Sequence, residues 1–226
     1  FVKTRLIFCS SAEMRHLVEM AYPDHIRPIL IAQCAGSGAD RYRPSAVAKT
    51  TEFRMHQRQC LFLGLSDGAR IDTFRRTNTS ALNHEQIWQT HELSSERVTK
   101  LLSKLDEHLT RLLGRQTRAD EKRFRTLVLL DDFSASGTSY YALPATAPPG
   151  GKVAHFFKEV CGAAPVSRLV DLQDLEVFIL LYMATEQALN HLRQASEAAW
   201  GKRGLNCSVE GVEVLWNGVR FRGGGM

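Results

Sequence analysis

The residues best equipped for chemistry lie in one stretch. An apolar run, Leu127-Val128-Leu129-Leu130, meets two acids, Asp131 and Asp132, and then the small polar segment Phe133-Ser134-Ala135-Ser136-Gly137-Thr138-Ser139. A continuous apolar run is the pattern of a parallel strand covered on both faces. Ligands of open α/β sheets collect just beyond the carboxyl ends of such strands. Two carboxylates there suit ribose hydroxyls or a hydrated divalent cation. Ser136, Gly137, Thr138 and Ser139 offer hydroxyl and N–H donors at the expected start of the next helix, which is an anion site. Diol acceptors beside an anion cradle describe a sugar phosphate. Another α/β fold with an acid pair that binds Mg²⁺ would show much the same stretch.

A strand, two acids, an apolar residue, a small hydroxylic segment, Gly and Ser/Thr together resemble the 5-phosphoribosyl-1-diphosphate (PRPP) signature of type I phosphoribosyltransferases. That resemblance implies a Mg²⁺-assisted ribosyl transfer or cleavage. Asp131 and Asp132 would act as catalytic ribose binders and hold the metal directly or through water or the ribose hydroxyls. Ser134 and residues Ala135, Ser136, Gly137, Thr138 and Ser139 would wrap the 5-phosphate. Several base-salvage members carry an acid at the position of Ala135, and alanine cannot handle a proton there, which argues against ordinary purine salvage.

A second stretch has the same design. Cys60-Leu61-Phe62-Leu63-Gly64-Leu65 is apolar, and Ser66, Asp67, Gly68, Ala69 and Arg70 follow it. In the family such a turn approaches the diphosphate, and glycine permits a close backbone approach. The two stretches together resemble a divergent phosphoribosyltransferase-like family of effectors in bacterial conflict and antiphage systems. This implies a toxin-like role on a nucleotide or RNA, with a protein partner that holds it inactive. The competing reading is a non-catalytic module that senses PRPP or a nucleotide and regulates a protein or RNA.

The elements that must position these residues alternate. Residues 5–9 and Ile29 to Ala32 read as strands around a helix that Ser10 and Glu13 would cap. A loop at 36–38 and 41–44 precedes a helix over 46–57. The clearest helix covers 94–113, with Val98, Leu101, Leu102, Leu105, Leu109, Leu112 and Leu113 on one face and Gly114 as its stop. A charged connector spans 115–125. The Pro-, Ala- and Gly-rich stretch 144–151 reads as a loop and 152–161 as a short helix. Residues 175–183 form a third buried strand, and 185–200 a helix whose first turn, with Ala184 to Gln187, is a third candidate ligand turn. Val212 to Leu215 and Gly218 to Phe221 would pair as a hairpin. The fold expected is a doubly wound, mainly parallel α/β sheet with helices on both faces. It would be a single domain over 1–226, with 1–57 as an N-terminal elaboration and 58–200 as the ligand-binding core.

Composition sets bounds. The chain has 226 residues, 44% hydrophobic and 23% charged, enough for a proper core. Five scattered cysteines, odd in number and without metal spacing, do not make a disulfide framework. Together with the lack of a charged-then-apolar leader pattern, they suit a reducing cytoplasm. The longest apolar run, Val177 to Ala184, falls far short of the roughly 20 residues a membrane helix needs, so no membrane partner is expected. A net charge of +5 is compatible with a phosphorylated ligand or RNA. His84, Glu85 and His91 are wrongly spaced for H-E-x-x-H, and no P-loop, dinucleotide fingerprint or hydrolase elbow occurs.

Overall fold

The apolar runs at 60–65, 127–130 and 175–183 become adjacent strands of one sheet. The structure, a computed structural model, describes residues 8–35, 42–142, 149–201 and 204–216. Its strands are β1 (Cys60–Gly64), β2 (Ile87–Gln89), β3 (Thr126–Ser134), β4 (Glu176–Thr185) and β5 (Asn206–Leu215). All pair in parallel, in the order β2-β1-β3-β4-β5. The helices, in chain order, are α1 (Ser11–Met20), α2 (Arg27–Ala35), α3 (Pro44–Val47), α4 (Thr51–Arg58), α5 (Ile71–Thr77), α6 (Ser95–Leu113), α7 (Lys152–Val160) and α8 (Glu186–Trp200).

Side chains alternate across the sheet and feed two cores. Leu61, Leu63, Leu127, Leu129, Val177 and Ile179 meet apolar residues of α6, α7 and α8 on one face. Phe62, Val128, Leu130 and Tyr182 meet those of α1, α2, α4 and α5 on the other. Only α5 carries the chain from β1 out to β2, whereas α6, α7 and α8 carry it back through β3 and β4 to β5. Right-handed crossovers run in opposite directions must lie on opposite faces, which accounts for this division. Strand order reverses between β1 and β3, the kind of position at which open α/β sheets place their ligands.

Local signals set most helix ends. Glu13 N–H donates to Ser10 Oγ and Ser10 N–H to Glu13 Oε2, closing the capping box of α1. Ser94 caps α6, and Gly114 ends it at φ 64°. Thr185 caps α8 through the Ala188 N–H. Thr50 caps α4, so the helix expected over 46–57 is split into α3 and α4.

Two expectations are corrected. Ile29 to Ala32 are helical, within α2, rather than a strand. A π-helical segment, Ala21–Ile26, joins α1 to α2, and Met14, Val18, Tyr22, Ile26 and Leu30 form one buried stripe. Pro23 and Pro28 make this stretch read as interrupted, although its four-residue spacing continues through them. Val212 to Leu215 belong to strand β5, which pairs in parallel with β4. Their expected hairpin partner at 218–221 lies outside the described residues, as do 5–7 of the first expected strand, 36–38 and 41 of the first loop and 144–148 of the second; Phe8 and Cys9, expected in that first strand, have no regular structure. The described part of 8–58 packs onto the sheet through the second core.

Candidate functional site

The turns at 66–70, 134–139 and 184–187 follow β1, β3 and β4, three adjacent parallel strands, and therefore share one sheet edge. Contacts tie them together. Leu65 N–H donates to Leu130 O at 3.0 Å. The Tyr182 hydroxyl, in β4, donates to Ala69 O at 2.8 Å and pins the 66–70 turn. Thr185 Oγ1 donates to Ala135 O at 2.5 Å and joins the second turn to the cap of α8.

The acid pair is divided by the sheet. β3 continues to Ser134, paired with Ala184 of β4, so Asp131 and Asp132 are strand residues with side chains on opposite faces. Asp131 joins the α6–α8 face and is fully buried. Its Oδ1 accepts from Ser66 Oγ at 2.5 Å and from the Asp132 N–H at 3.1 Å. Its Oδ2 lies 2.6 Å from Lys152 Nζ, at the start of α7. The expectation that Asp131 stands beyond the strand end, open to a ribose or a metal, is therefore corrected: the carboxylate is an internal anchor between β1 and α7, with both oxygens already engaged. Tyr140 completes this anchor, with its hydroxyl donating to Phe133 O at 2.8 Å and Lys152 Nζ 4.8 Å from its ring centre. Burial, and then the charge of Asp131, raise the Tyr140 phenol and keep it a neutral donor.

Asp132 is the half-exposed acid and faces the other side. Its Oδ1 accepts the Phe133 N–H at 2.8 Å. The carboxylate lies so close to Gly68 that any Cβ at 68 would collide with it. Glycine at 68 thus makes room for Asp132, a more local reason than the approach of a phosphate. Asp67 and Arg70 are exposed on the same turn, whereas Ala69 is buried. Arg70 is left-handed, φ 47°, the one such non-glycine residue among those described, and begins α5. Arg70 lines a cleft of about 370 Å³ with Asp67, Arg75, Gln89 and Glu92.

Residues 134–139 form a turn that no helix continues among the described residues before α7 begins at Lys152. The helix terminus expected behind Ser136 to Ser139 is therefore missing from this position. Ser134 is buried and its Oγ accepts the Gly137 N–H at 3.1 Å. Gly137 is buried at φ 80°, where a Cβ would press on His191 and on Ala188 O of α8. Ala135, Ser136, Thr138 and Ser139 are exposed, and the Ser136 and Thr138 hydroxyls lie 2.8 Å apart. What faces solvent is a short row of hydroxyls on a turn whose glycine packs inward.

Sequence reasoning missed Lys152, Tyr140 and Tyr182. Their one legible signal is a tyrosine inside the aliphatic run of β4, since a buried phenol needs an acceptor. Among the described residues no three His, Cys, Asp or Glu side chains converge as a metal site, and no helix is long and apolar enough to cross a membrane. Comparison with family models, with curated proteins and with solved structures yields no match to this chain.

Proposed function

We propose that this chain is a phosphoribosyltransferase-like protein whose turns at 66–70, 134–139 and 184–187 enclose a ribose phosphate such as PRPP. The observation that carries the reading is the adjacency of those turns, with Asp132 half-exposed among them, where strand order reverses. Asp132, rather than Asp131, meets the ribose hydroxyls or Mg²⁺. Mg²⁺ commonly takes one or two protein carboxylates and completes its shell with water and substrate phosphate, so a single free acid here fits it. When bound with the substrate, the ion would neutralise charge on the diphosphate leaving group. Ser136, Thr138 and Ser139 hold the 5-phosphate, and Arg70 attracts the diphosphate. The C1–oxygen bond to diphosphate breaks as an acceptor atom bonds to C1; with water as acceptor the result is hydrolysis. Asp131, Lys152 and Ser66 keep the end of β3 rigid against the 66–70 turn.

The internal pairing of Asp131 with Lys152 favours a second reading, a PRPP- or nucleotide-sensing module without turnover. Incubating the protein with Mg²⁺ and PRPP, alone and with nucleotide or RNA acceptors, separates the two. Diphosphate release supports the enzyme; saturable binding without release supports the sensor. No binding of PRPP, nucleotide or ribose 5-phosphate removes both. The role as a defence effector with an inhibiting partner rests on the resemblance and is tested by toxicity on expression.

A further inference from the structure

The opposite edge of the sheet holds a group that the fold leaves unsatisfied. Arg58 ends α4, just ahead of β1, and is only 5% exposed. Its Nε–H donates to His108 Nδ1 of α6 at 3.0 Å. Its Nη1 and Nη2 are buried and have no hydrogen-bond partner among the described residues. A guanidinium carries five N–H donors, so four remain unmatched. Burial pushes its pKa down to about 10, with Glu85 opposing this, and the group stays cationic at neutral pH. Buried donors without acceptors are rare in proteins and commonly mark a place for an ion or water.

Arg58 borders a pocket of about 200 Å³, which Arg54, Gln57, Asn83, Gln86 and His108 also line. No Asp or Glu lines it. Gln86 Nε2 is committed to the carbonyls of Gln57 and Cys60, and Gln57 Nε2 to the Tyr22 hydroxyl. Burial, and then the Arg58 charge, lower the His108 pKa and hold the ring neutral. Since its Nδ1 accepts from Arg58, the proton of the neutral ring resides on Nε2. Apart from the neutral amides of Gln57 and Asn83, the groups left for a ligand are donors or cations: the Arg58 Nη groups, the exposed Arg54 and His108 Nε2–H.

We propose that this pocket, at the amino-terminal edge of the sheet, binds the phosphoryl group of a nucleotide or free phosphate at a site separate from the carboxyl-edge turns. Two guanidiniums balance a phosphate dianion, and the donors outnumber the two oxygens of a carboxylate. Arg58 and Arg54 bind the anion. His108 positions Arg58 through Nε and adds one donor.

The test is calorimetry on the full chain with inorganic phosphate and with a nucleoside 5′-monophosphate, against sodium chloride at equal ionic strength. Saturable binding is expected, weakened about tenfold or more in Arg54→Ala, as loss of a charge-assisted contact requires. Arg58→Met should abolish it while remaining folded without phosphate, because an apolar isostere relieves an unpaired buried charge. If Arg58→Met fails to fold, Arg54→Ala, altered at an exposed residue, still decides. Equal affinity for both probes assigns the free anion, and tighter nucleotide binding assigns its phosphoryl group; either supports the site. A triple variant Ser136→Ala, Thr138→Ala, Ser139→Ala should keep this binding, which separates it from the carboxyl-edge reading. No binding beyond the chloride control, wild-type affinity in Arg54→Ala, or loss only in the triple variant would each overturn it.

Discussion

Lys152 Nζ lies 2.6 Å from Asp131 Oδ2, and the carboxylate it neutralises is fully buried between β1 and α7. Removing one member of such a pair leaves an uncompensated charge, at a cost of about 3–5 kcal/mol. Lys152→Met should fall near the lower end of that range, because the lysine is itself partly solvated. Urea unfolding of Lys152→Met and of the double variant with Asp131→Asn checks this, and the double variant should be the more stable of the two. Equal stability of wild type and Lys152→Met would show that the pair holds nothing in place.

The two acids should separate by phenotype. Asp132→Asn is half-exposed and should alter stability by no more than about 0.5 kcal/mol, the usual effect of a surface change. It should nevertheless reduce Mg²⁺-dependent PRPP binding at least about tenfold. Asp131→Asn should mainly destabilise. Calorimetry and unfolding on both variants read this directly, and unchanged ligand binding in folded Asp132→Asn removes the acid from the site.

Gly68→Ala would drive a methyl group into the Asp132 carboxylate. It should weaken ligand binding as much as Asp132→Asn does, with the chain still folded. At Gly137 the penalty is different in kind. Its φ of 80° and its contact with α8 make Gly137→Val costly to the fold, by about 1–3 kcal/mol for the backbone alone. Ser139→Ala leaves the fold intact and should lose about 1.5–3 kcal/mol of ligand binding, the value of a hydrogen bond to a charged group. Binding of ribose 5-phosphate to the three variants should rank them in this sense.

Acid should loosen the 115–125 connector. Arg115 donates two bonds to Glu121, at 2.7 and 2.9 Å, and the Arg118 N–H a third, which lowers the Glu121 carboxyl to about 2. Its unfolded value is about 4.3. A depressed folded pKa contributes stability that is complete above the unfolded value and lost as pH falls through the folded one. Unfolding midpoints of wild type should therefore drop between about pH 4.5 and 2, and Glu121→Gln should flatten that part of the profile. Parallel profiles for the two proteins would contradict the role of this pair.

Much of the architecture was legible because it depends on local patterns. Burial of both faces forces continuous apolar runs at 61–63, 127–130 and 177–183. Ser10 with Glu13, Ser94 with Gly114, and Thr185 announce helix ends through hydrogen bonds that span a few residues. β2, with three residues, and β5, half-exposed at the edge, lack a comparable pattern, and the helical run 11–35 is disguised by its two prolines.

The sequence alone determined that Asp131 and Asp132 stand near the carboxyl end of a buried parallel strand and that small polar turns follow β1, β3 and β4. Crossover handedness then brings those turns to one edge. Only the tertiary structure decided what each acid does. The register of β3 against β4 runs through Ser134, so neighbouring acids face opposite sides of the sheet. One meets Lys152, 21 positions along the chain, and the other meets Gly68 across a β1 turn. Such partners come from distant segments, and no local periodicity encodes which side chain will fill the space beside a given carboxylate. The same holds for Arg58, whose missing acceptors become visible only once α4 and α6 have closed around it.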